Sequence, residues 1–348
     1  MTDKTIRVGV IGAGGNTRKH HIPKLQAQPG VEIACVVNRT RESGERVAKE
    51  FGIASVQTDW QAVVNDDSID AICIGTWPYM HAPMTIAALQ AGKHVLTEAR
   101  MARNAEEART MLAASRLRPD LVAQIVPAPH TLPFDQTINE LIASGAIGEL
   151  IVLDAHVSPG SDYPNPGSAY HWRHDRELSG NNVMSMGIWY EAIMRWIGPA
   201  ASVQAMGQAV VPYRLDTDGR RRATSIPDHI HVLSAMQQGG QLHLNVSTVL
   251  GHSRGVDVHL HGTQGTLRLT GPSTEKMTLW RGARGDAALQ EVTIDPAKRG
   301  GWRVEEEFVN AIRGREPVTH TDFATGLRYM EWTDAVAQSL RSGDRVDL

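Results

Sequence analysis

The sequence predicts an α/β fold: a doubly wound parallel sheet with helices on both faces, then a second domain built largely from strands. Three observations carry this. A β-branched run, Ile6 to Ile11, stops at three glycines within four positions, Gly12, Gly14 and Gly15, and a helical pattern follows. Up to residue 127, short apolar runs alternate with helical stretches of about ten to fifteen residues, as parallel strands joined by crossover helices do. Further on, HIHVLSAM and VDVHLHG alternate apolar with polar residues, the pattern of strands buried on one face. A chain of 348 residues exceeds the size at which one core stops growing, so domains at 1–127 and 128–348 are expected.

Composition narrows the function. The 35 basic and 38 acidic side chains nearly cancel, which argues against nucleic acid or an anionic membrane as partner. No apolar run approaches the ~20 residues that span a bilayer. The first strand starts at Ile6, which leaves no room for a signal peptide, so a cytoplasmic location is expected. Cys35 and Cys73 each lie inside an apolar run, and the usual doubly wound order puts a strand between them. They read as small buried hydrophobes, too far apart for a disulfide.

Taken in order, the glycine turn comes first. Glycines let the main chain approach a pyrophosphate, and the free amides at the helix start, around Gly14, Gly15 and Asn16, bind it. The third glycine of a GxGxxG pattern is replaced by Thr17. The second strand, Val31 to Val37, ends at Asn38-Arg39-Thr40, where dinucleotide folds meet the adenosine ribose. An acidic residue there would suit a free ribose diol. An amide, a guanidinium and a hydroxyl suit a 2′-phosphate, so NADP(H) is expected ahead of NAD(H). A helix over Arg41 to Phe51 ends at Gly52, and Ala71 to Gly75 forms the next buried strand. A helix with Pro83 near its start runs to Ala91, Val95 to Thr97 is a fifth strand, Glu106 to Leu117 is helical, and Leu121 to Val126 is a sixth strand. The loops after Gly75 and Thr97 leave the carboxyl ends of strands, which makes Thr76, Trp77 and Glu98 candidate ligand contacts.

In the second half, Val183 to Ile197 reads as a helix. Strands are expected at Leu150 to Val157, Val203 to Val211, His229 to Met236, Leu242 to Val249, Val256 to His261, Thr266 to Leu269, Met277 to Trp280 and Val292 to Ile294. His229/His231 and His259/His261 are same-face pairs, but no carboxylate or cysteine joins them at ligand spacing, so no metal site is expected. A sheet face packed on another subunit explains them better. Trp302 to Arg313 and Phe323 to Leu340 are amphipathic helices.

The stretches GVIGAGGNTRKHHIP, TWPYMHAPMTIAALQAGKHVLTEA, ELIASGAIGEL, HWRHDRELSG and YMEWTDAVAQSLRSGDRVDL fall in an order that resembles the Gfo/Idh/MocA family, the glucose–fructose oxidoreductase and inositol dehydrogenase relatives. The resemblance implies an N-terminal Rossmann domain and a C-terminal α/β domain with a large open mixed sheet. It implies a bound nicotinamide cofactor and a sugar, polyol or cyclic alcohol substrate. It implies homodimers or homotetramers through that sheet, and a terminal helix, about 323–341, packing back on the Rossmann domain. Tyr79 and His81 match cofactor-contacting positions, and Trp172-Arg173 matches a pair close to cofactor and substrate.

The chemistry departs from that family. Its Glu-Lys-Pro motif reads Glu98, Ala99, Arg100 here, and its aspartate and histidine, one helical turn apart, read Ser185 and Trp189. An arginine, with a pKa above ~12, is a poor base. Arg100 can orient a carboxylate or hold an oxyanion, Ser185 can hydrogen-bond, and Trp189 offers a stacking face and one N–H. Replacement acid/base groups are sought in the loop that carries Tyr163, Tyr170, His171, His174 and Asp175, with His130 as a further pocket candidate. The expected function is therefore a nicotinamide-dependent oxidoreductase on a carbohydrate-like hydroxyl or ketone. The alternatives are a redox-neutral lyase, epimerase or glycoside-cleaving enzyme that retains its cofactor, and a non-catalytic NAD(P)-binding regulator.

Overall fold

The computed structural model describes residues 4–348, which form two compact units. Residues 4–127 and 303–327 make the first, and residues 128–302 and 328–348 the second. One boundary between the units falls after Pro127. The second domain is interrupted, however, because 303–327 returns to the first unit instead of continuing it.

The first unit is built on β1 (Ile6–Ile11), β2 (Val31–Val37), β3 (Ser55–Gln57), β4 (Ala71–Ile74), β5 (His94–Thr97) and β6 (Ala123–Ile125). They form one parallel sheet in the order β3-β2-β1-β4-β5-β6, that of two mononucleotide-binding halves. From Val8 onward β1 is buried on both faces, as is β4, which is why VGVI and AICI read as unbroken apolar runs. Cys35 and Cys73 are buried and free, with β1 between their strands. The crossovers are α1 (Ile22–Gln26), α2 (Arg41–Phe51), α3 (Trp60–Val64), α4 (His81–Gln90) and α5 (Ala105–Arg116). Thr40 caps α2 and Asn104 caps α5, each accepting a first-turn amide. Strand β3 and helix α3 are too short to show a period in the sequence.

The second unit carries α6 (Leu132–Ala143), β7 (Leu150–Val157), α7 (Arg176–Ser179), α8 (Met186–Ile197), β8 (Ala200–Gln208), β9 (Tyr213–Leu215) and β10 (Arg221–Ala223). It continues with β11 (His229–Met236), β12 (Gln241–Ser247), β13 (Val256–Gly262), β14 (Gly265–Gly271), β15 (Thr278–Ala283) and β16 (Gln290–Glu291). The chain closes through α9 (Val304–Ile312) of the first unit, α10 (Phe323–Ser342) and β17 (Val346–Asp347). Nine strands form a sheet in the order β16-β15-β14-β13-β7-β12-β11-β8-β17. It is mixed, since β7 and β12 run parallel while their neighbours are antiparallel. One face is covered: Tyr190 of α8 stacks on Trp332 of α10 at 3.9 Å, and the Trp332 indole donates to Ser234 of β11. The other face presents His229, His231, Leu233 and Ala235 of β11, and His259 and His261 of β13.

The strand expected over Val292 to Ile294 pairs at Gln290 and Glu291 and bonds last through the Val292 amide to Leu279. Its partner β15 begins at Thr278, so the ladder runs out there. The β9–β10 hairpin was not foreseen. It is mostly exposed and arginine-rich, so no apolar alternation marks it.

Candidate functional site

The glycine turn has a distinct task for each position. Gly12 adopts φ +85°, and a Cβ there would stand 2.7 Å from Thr76 Cγ2 and 2.9 Å from the Gly75 carbonyl carbon. Gly14 and Gly15 are exposed, and an added Cβ meets nothing closer than the Gly75 oxygen at 3.8 Å. The helical run starts at Gly15, and its first N–H groups have no partner within the helix. The open space over Gly14, Gly15 and the helix start fits a pyrophosphate, with the Gly14 amide itself turned to the Gly12 carbonyl at 2.9 Å. Thr17 in the third glycine position is accommodated from the opposite side. It is buried, its hydroxyl donates to the Gly12 carbonyl, and a Cβ on Gly75 would collide with that hydroxyl at 2.0 Å. The close approach is made by a glycine just after β4 instead of one on the helix.

At the ribose end, Asn38 and Thr40 are already committed. The Asn38 carboxamide accepts the Ala13 amide and donates to Ser43, so it braces the turn. The Thr40 hydroxyl caps α2. These two expected cofactor contacts are local scaffolding. Arg39 is exposed and makes no ion pair or hydrogen bond among the described residues, so the 2′-phosphate reading narrows to this guanidinium.

Thr76, Trp77 and Tyr79 follow β4, with the Trp77 and Tyr79 rings 6.5 Å apart. His81 departs from expectation. It is fully buried, with ring nitrogens 2.9 Å from the Arg100 carbonyl and 3.0 Å from that of Thr76. Burial pushes its imidazole down, and no edge is open to a ligand. It ties the loops after β4 and β5 together. Arg100 is itself buried, at 4% exposure. Glu98 accepts hydrogen bonds from Asn16 and from His21. Burial works against its charge, but the bonds from His21 and Asn16 hold the carboxyl below the usual carboxylate range. His21 and its second partner, Glu305, were missed in the sequence; only their polar character inside apolar helical stretches marked them.

In the second unit, the candidate loop is pinned by the β9–β10 hairpin. The Tyr170 amide donates to the Leu215 carbonyl and the Leu215 amide to that of Ser168. The Arg222 guanidinium lies 5.5 Å from the Tyr170 ring centre. Arg214 joins Ser168 to the buried Asp228. Burial and Asp175, to which the Tyr170 phenol is hydrogen-bonded, keep that phenol protonated. Trp172 carries the Arg173 guanidinium over its ring at 4.2 Å.

His171 and His174 form a capping box: His174 Nδ1 accepts the His171 amide at 3.0 Å, and His171 Nδ1 accepts that of Arg173 at 3.3 Å. With Nδ1 occupied as acceptor, each neutral ring carries its hydrogen on Nε2. Burial, then Arg214 and His171, push His174 down to about 4, and burial followed by Arg173 lowers His171. The expectation that this pair supplies an acid and a base near neutral pH is corrected: both are neutral hydrogen-bond donors. Ser185 stands at the start of α8 without capping it. Trp189 is buried and stacks on His130 at 5.8 Å, a wall instead of an open face. Behind it, Glu191 accepts the Ala128 amide and pairs with Arg195, which also pairs with Asp135.

Among the described residues, no cluster of three or more His, Cys, Asp or Glu could hold a metal ion, and no helix is long and apolar enough to cross a membrane.

A two-half parallel sheet with an open, amide-lined glycine turn at its centre defines a dinucleotide-binding enzyme. Residues 6–123 match the model of an oxidoreductase family with an NAD-binding Rossmann fold, and residues 136–268 match the Gfo/Idh/MocA C-terminal domain. The chain belongs to the Gfo/Idh/MocA family and is an oxidoreductase. It is 27% identical over 346 residues to dTDP-3,4-didehydro-2,6-dideoxy-alpha-D-glucose 3-reductase of Streptomyces antibioticus, covering 97% of this chain and 99% of the relative. Its fold is that of levoglucosan dehydrogenase in complex with NADH and L-sorbose, with TM-score 0.83 and 21% identity over 99% and 98% of the two chains. It is also that of the WlbA dehydrogenase of Bordetella pertussis in complex with NADH and UDP-GlcNAcA, with TM-score 0.80 and 21% identity over 99% of each chain.

Proposed function

We propose that this chain transfers hydride between a nicotinamide dinucleotide, NADP(H) in preference to NAD(H), and a carbohydrate-like ketone or hydroxyl. The observation that carries the reading is the open space over Gly14 and Gly15 beside exposed first-turn amides. The relatives support the substrate class, since one reduces a deoxysugar nucleotide and another binds L-sorbose.

The first-turn amides would hold the pyrophosphate, Arg39 the 2′-phosphate, and Thr76, Trp77 and Tyr79 the remaining edge. The dinucleotide supplies the hydride. The chain's own groups handle charge and protons. Arg100 stands in the family's lysine position as a permanent cation, suited to an oxyanion and unable to act as a base near neutral pH. The second unit carries donors in the Nε2 hydrogens of His171 and His174, while the Tyr170 hydrogen is held by Asp175. A set of donors with no tuned acceptor suits reduction of a ketone, where an oxygen gains charge and then a proton. Ser185 and Trp189 would line the substrate wall without exchanging protons. Two copies would associate through the open face of the nine-stranded sheet.

The test is to titrate NADPH and NADH into the protein by calorimetry and then offer keto-sugars, uronates and inosose-type ketones while following the reduced-cofactor absorbance. Oxidation of the cofactor with tighter NADPH binding supports the proposal. Product without net absorbance change favours the redox-neutral alternative. Cofactor binding with no turnover favours the regulator, and tighter NADH binding reverses the cofactor preference.

A further inference from the structure

One buried ionisable cluster takes no part in these steps. His21 is 0% exposed, with Nδ1 2.6 Å from Glu305 Oε1 of α9 and Nε2 3.0 Å from Glu98 Oε1 beyond β5. A neutral imidazole has one N–H and would turn a lone pair against a carboxylate at one of these contacts. With a carboxylate at each nitrogen, the ring is an imidazolium holding a hydrogen on both. Two carboxylates and one imidazolium leave one net negative charge in a protein interior, where charge acts over a longer range than in water.

That charge is directed to Glu98. Its carboxylate accepts from His21, from the Asn16 carboxamide and from the Ala99 amide at 3.2 Å. Three donors to one carboxylate favour its ionised form. Asn16 belongs to the first helical turn after Gly14 and Gly15, so Glu98 is bonded directly to the dinucleotide cradle. β5 lies in the second mononucleotide half of the sheet, away from the Asn38–Thr40 end of β2 where the adenosine ribose falls. The neighbouring titratable groups are Cys73 of β4, His81 of α4, Lys24 of α1 and His20. Burial and the two carboxylates keep the Cys73 thiol protonated, and burial lowers the His81 imidazole against the pull of the Thr76 and Arg100 carbonyls. Lys24 lies near Glu305 and at the protein surface.

We infer that Glu305, His21 and Glu98 form a charge clamp that holds Glu98 ionised toward the nicotinamide half of the dinucleotide and so favours its oxidised, cationic ring over its reduced, neutral one. The inference rests on the cofactor reading above. In it His21 and Glu305 are positioning residues acting through Glu98.

The experiment measures dissociation constants for oxidised and reduced dinucleotide between about pH 5.5 and 8 in the parent, His21→Asn and Glu98→Gln. It adds the imidazole nitrogen spectrum of the unliganded protein, with His21→Asn as the assignment. The parent should keep a constant affinity ratio across this range, and its His21 should show two N–H signals. Glu98→Gln should shift the ratio toward the reduced form by about tenfold, equivalent to removing one nearby charge. His21→Asn should make the ratio depend on pH, moving toward the reduced form as the pH falls, because Glu98 then gains a proton. If the histidine variant does not fold, the parent spectrum and Glu98→Gln decide. A parent ratio that titrates within this range, a single N–H on His21, or variant ratios within twofold of the parent overturn the clamp. A parent that binds neither form overturns the cofactor reading, and the clamp with it. Binding of both forms with unmoved ratios overturns the clamp alone.

Discussion

The glycines of the turn can be separated into those the fold requires and those the ligand requires. Alanine at Gly12 must adopt φ +85° and place its Cβ 2.8 Å from the Thr76 amide nitrogen and 2.9 Å from the Gly75 carbonyl carbon. The left-handed conformation costs about 1–2 kcal/mol for a residue with a Cβ. Overpacking against backbone that cannot rotate away costs about 1–3 kcal/mol more. A total of about 2–5 kcal/mol corresponds to a melting temperature lower by about 4–20 °C for a unit of this size. Alanine at Gly14 has a negative φ and an ordinary 3.8 Å neighbour, so its melting temperature should stay within about 2 °C of the parent. Its methyl group nevertheless enters the cradle that the pyrophosphate needs, and dinucleotide affinity should fall tenfold or more, about 1.4 kcal/mol. Differential scanning fluorimetry and calorimetric titration of both variants make the comparison. A Gly14→Ala protein that binds dinucleotide like the parent would refute the cradle, and one that melts as low as Gly12→Ala would show that the glycine serves only the fold.

Arg39→Ala should lower NADPH affinity by about 10–100-fold, the worth of a charged hydrogen bond to phosphate, and leave NADH within twofold; equal losses for both cofactors would remove Arg39 from the ribose site. The folded His21 pKa lies near 9 against 6.5 for the free side chain: burial lowers it, and the bonds to Glu305 and Glu98 outweigh burial. Its contribution to stability is therefore fully present below about pH 6.5 and lost as pH rises through 9. Urea midpoints measured across that window should fall in the parent and stay flatter in His21→Asn. Asp135→Ala, which leaves the buried Trp196 indole without its acceptor while Arg195 keeps Glu191, should destabilise by about 1–3 kcal/mol, read from denaturant melts. Leu233→Asp, on the open sheet face, should turn an oligomer into a monomer by light scattering, and an unchanged mass would exclude that face as the interface.

What the sequence disclosed and what it hid follow from range. Strands buried on both faces, such as VGVI and AICI, announce themselves because every residue is apolar, and the glycine turn is a local signal between two such elements. Thr17 looked like a defect because the compensating glycine, Gly75, lies at the end of a distant strand, just after β4. His81 and the His171/His174 pair carry the residue types of a chemical site, but their hydrogen-bond partners are main-chain atoms, which residue spelling does not encode. His21 and Glu305 are 284 positions apart, and no window of sequence joins them. The hairpin β9–β10 is exposed and short, so its hold on the Tyr170 loop follows from tertiary hydrogen bonds alone.

The return of residues 303–327 to the first unit has a consequence for biosynthesis. β6 is bridged by Thr321 and Asp322, and Gln124 is anchored by Glu307, so one margin of the parallel sheet waits for chain made after the second unit's strands β7 to β16. A ribosome releases the second unit's strands while the first is still unfinished, and domains that form early during synthesis normally do so as continuous blocks. Truncation before about residue 303 should leave a dinucleotide domain with an unsealed flank, open to holdase chaperones for want of residues 303–327.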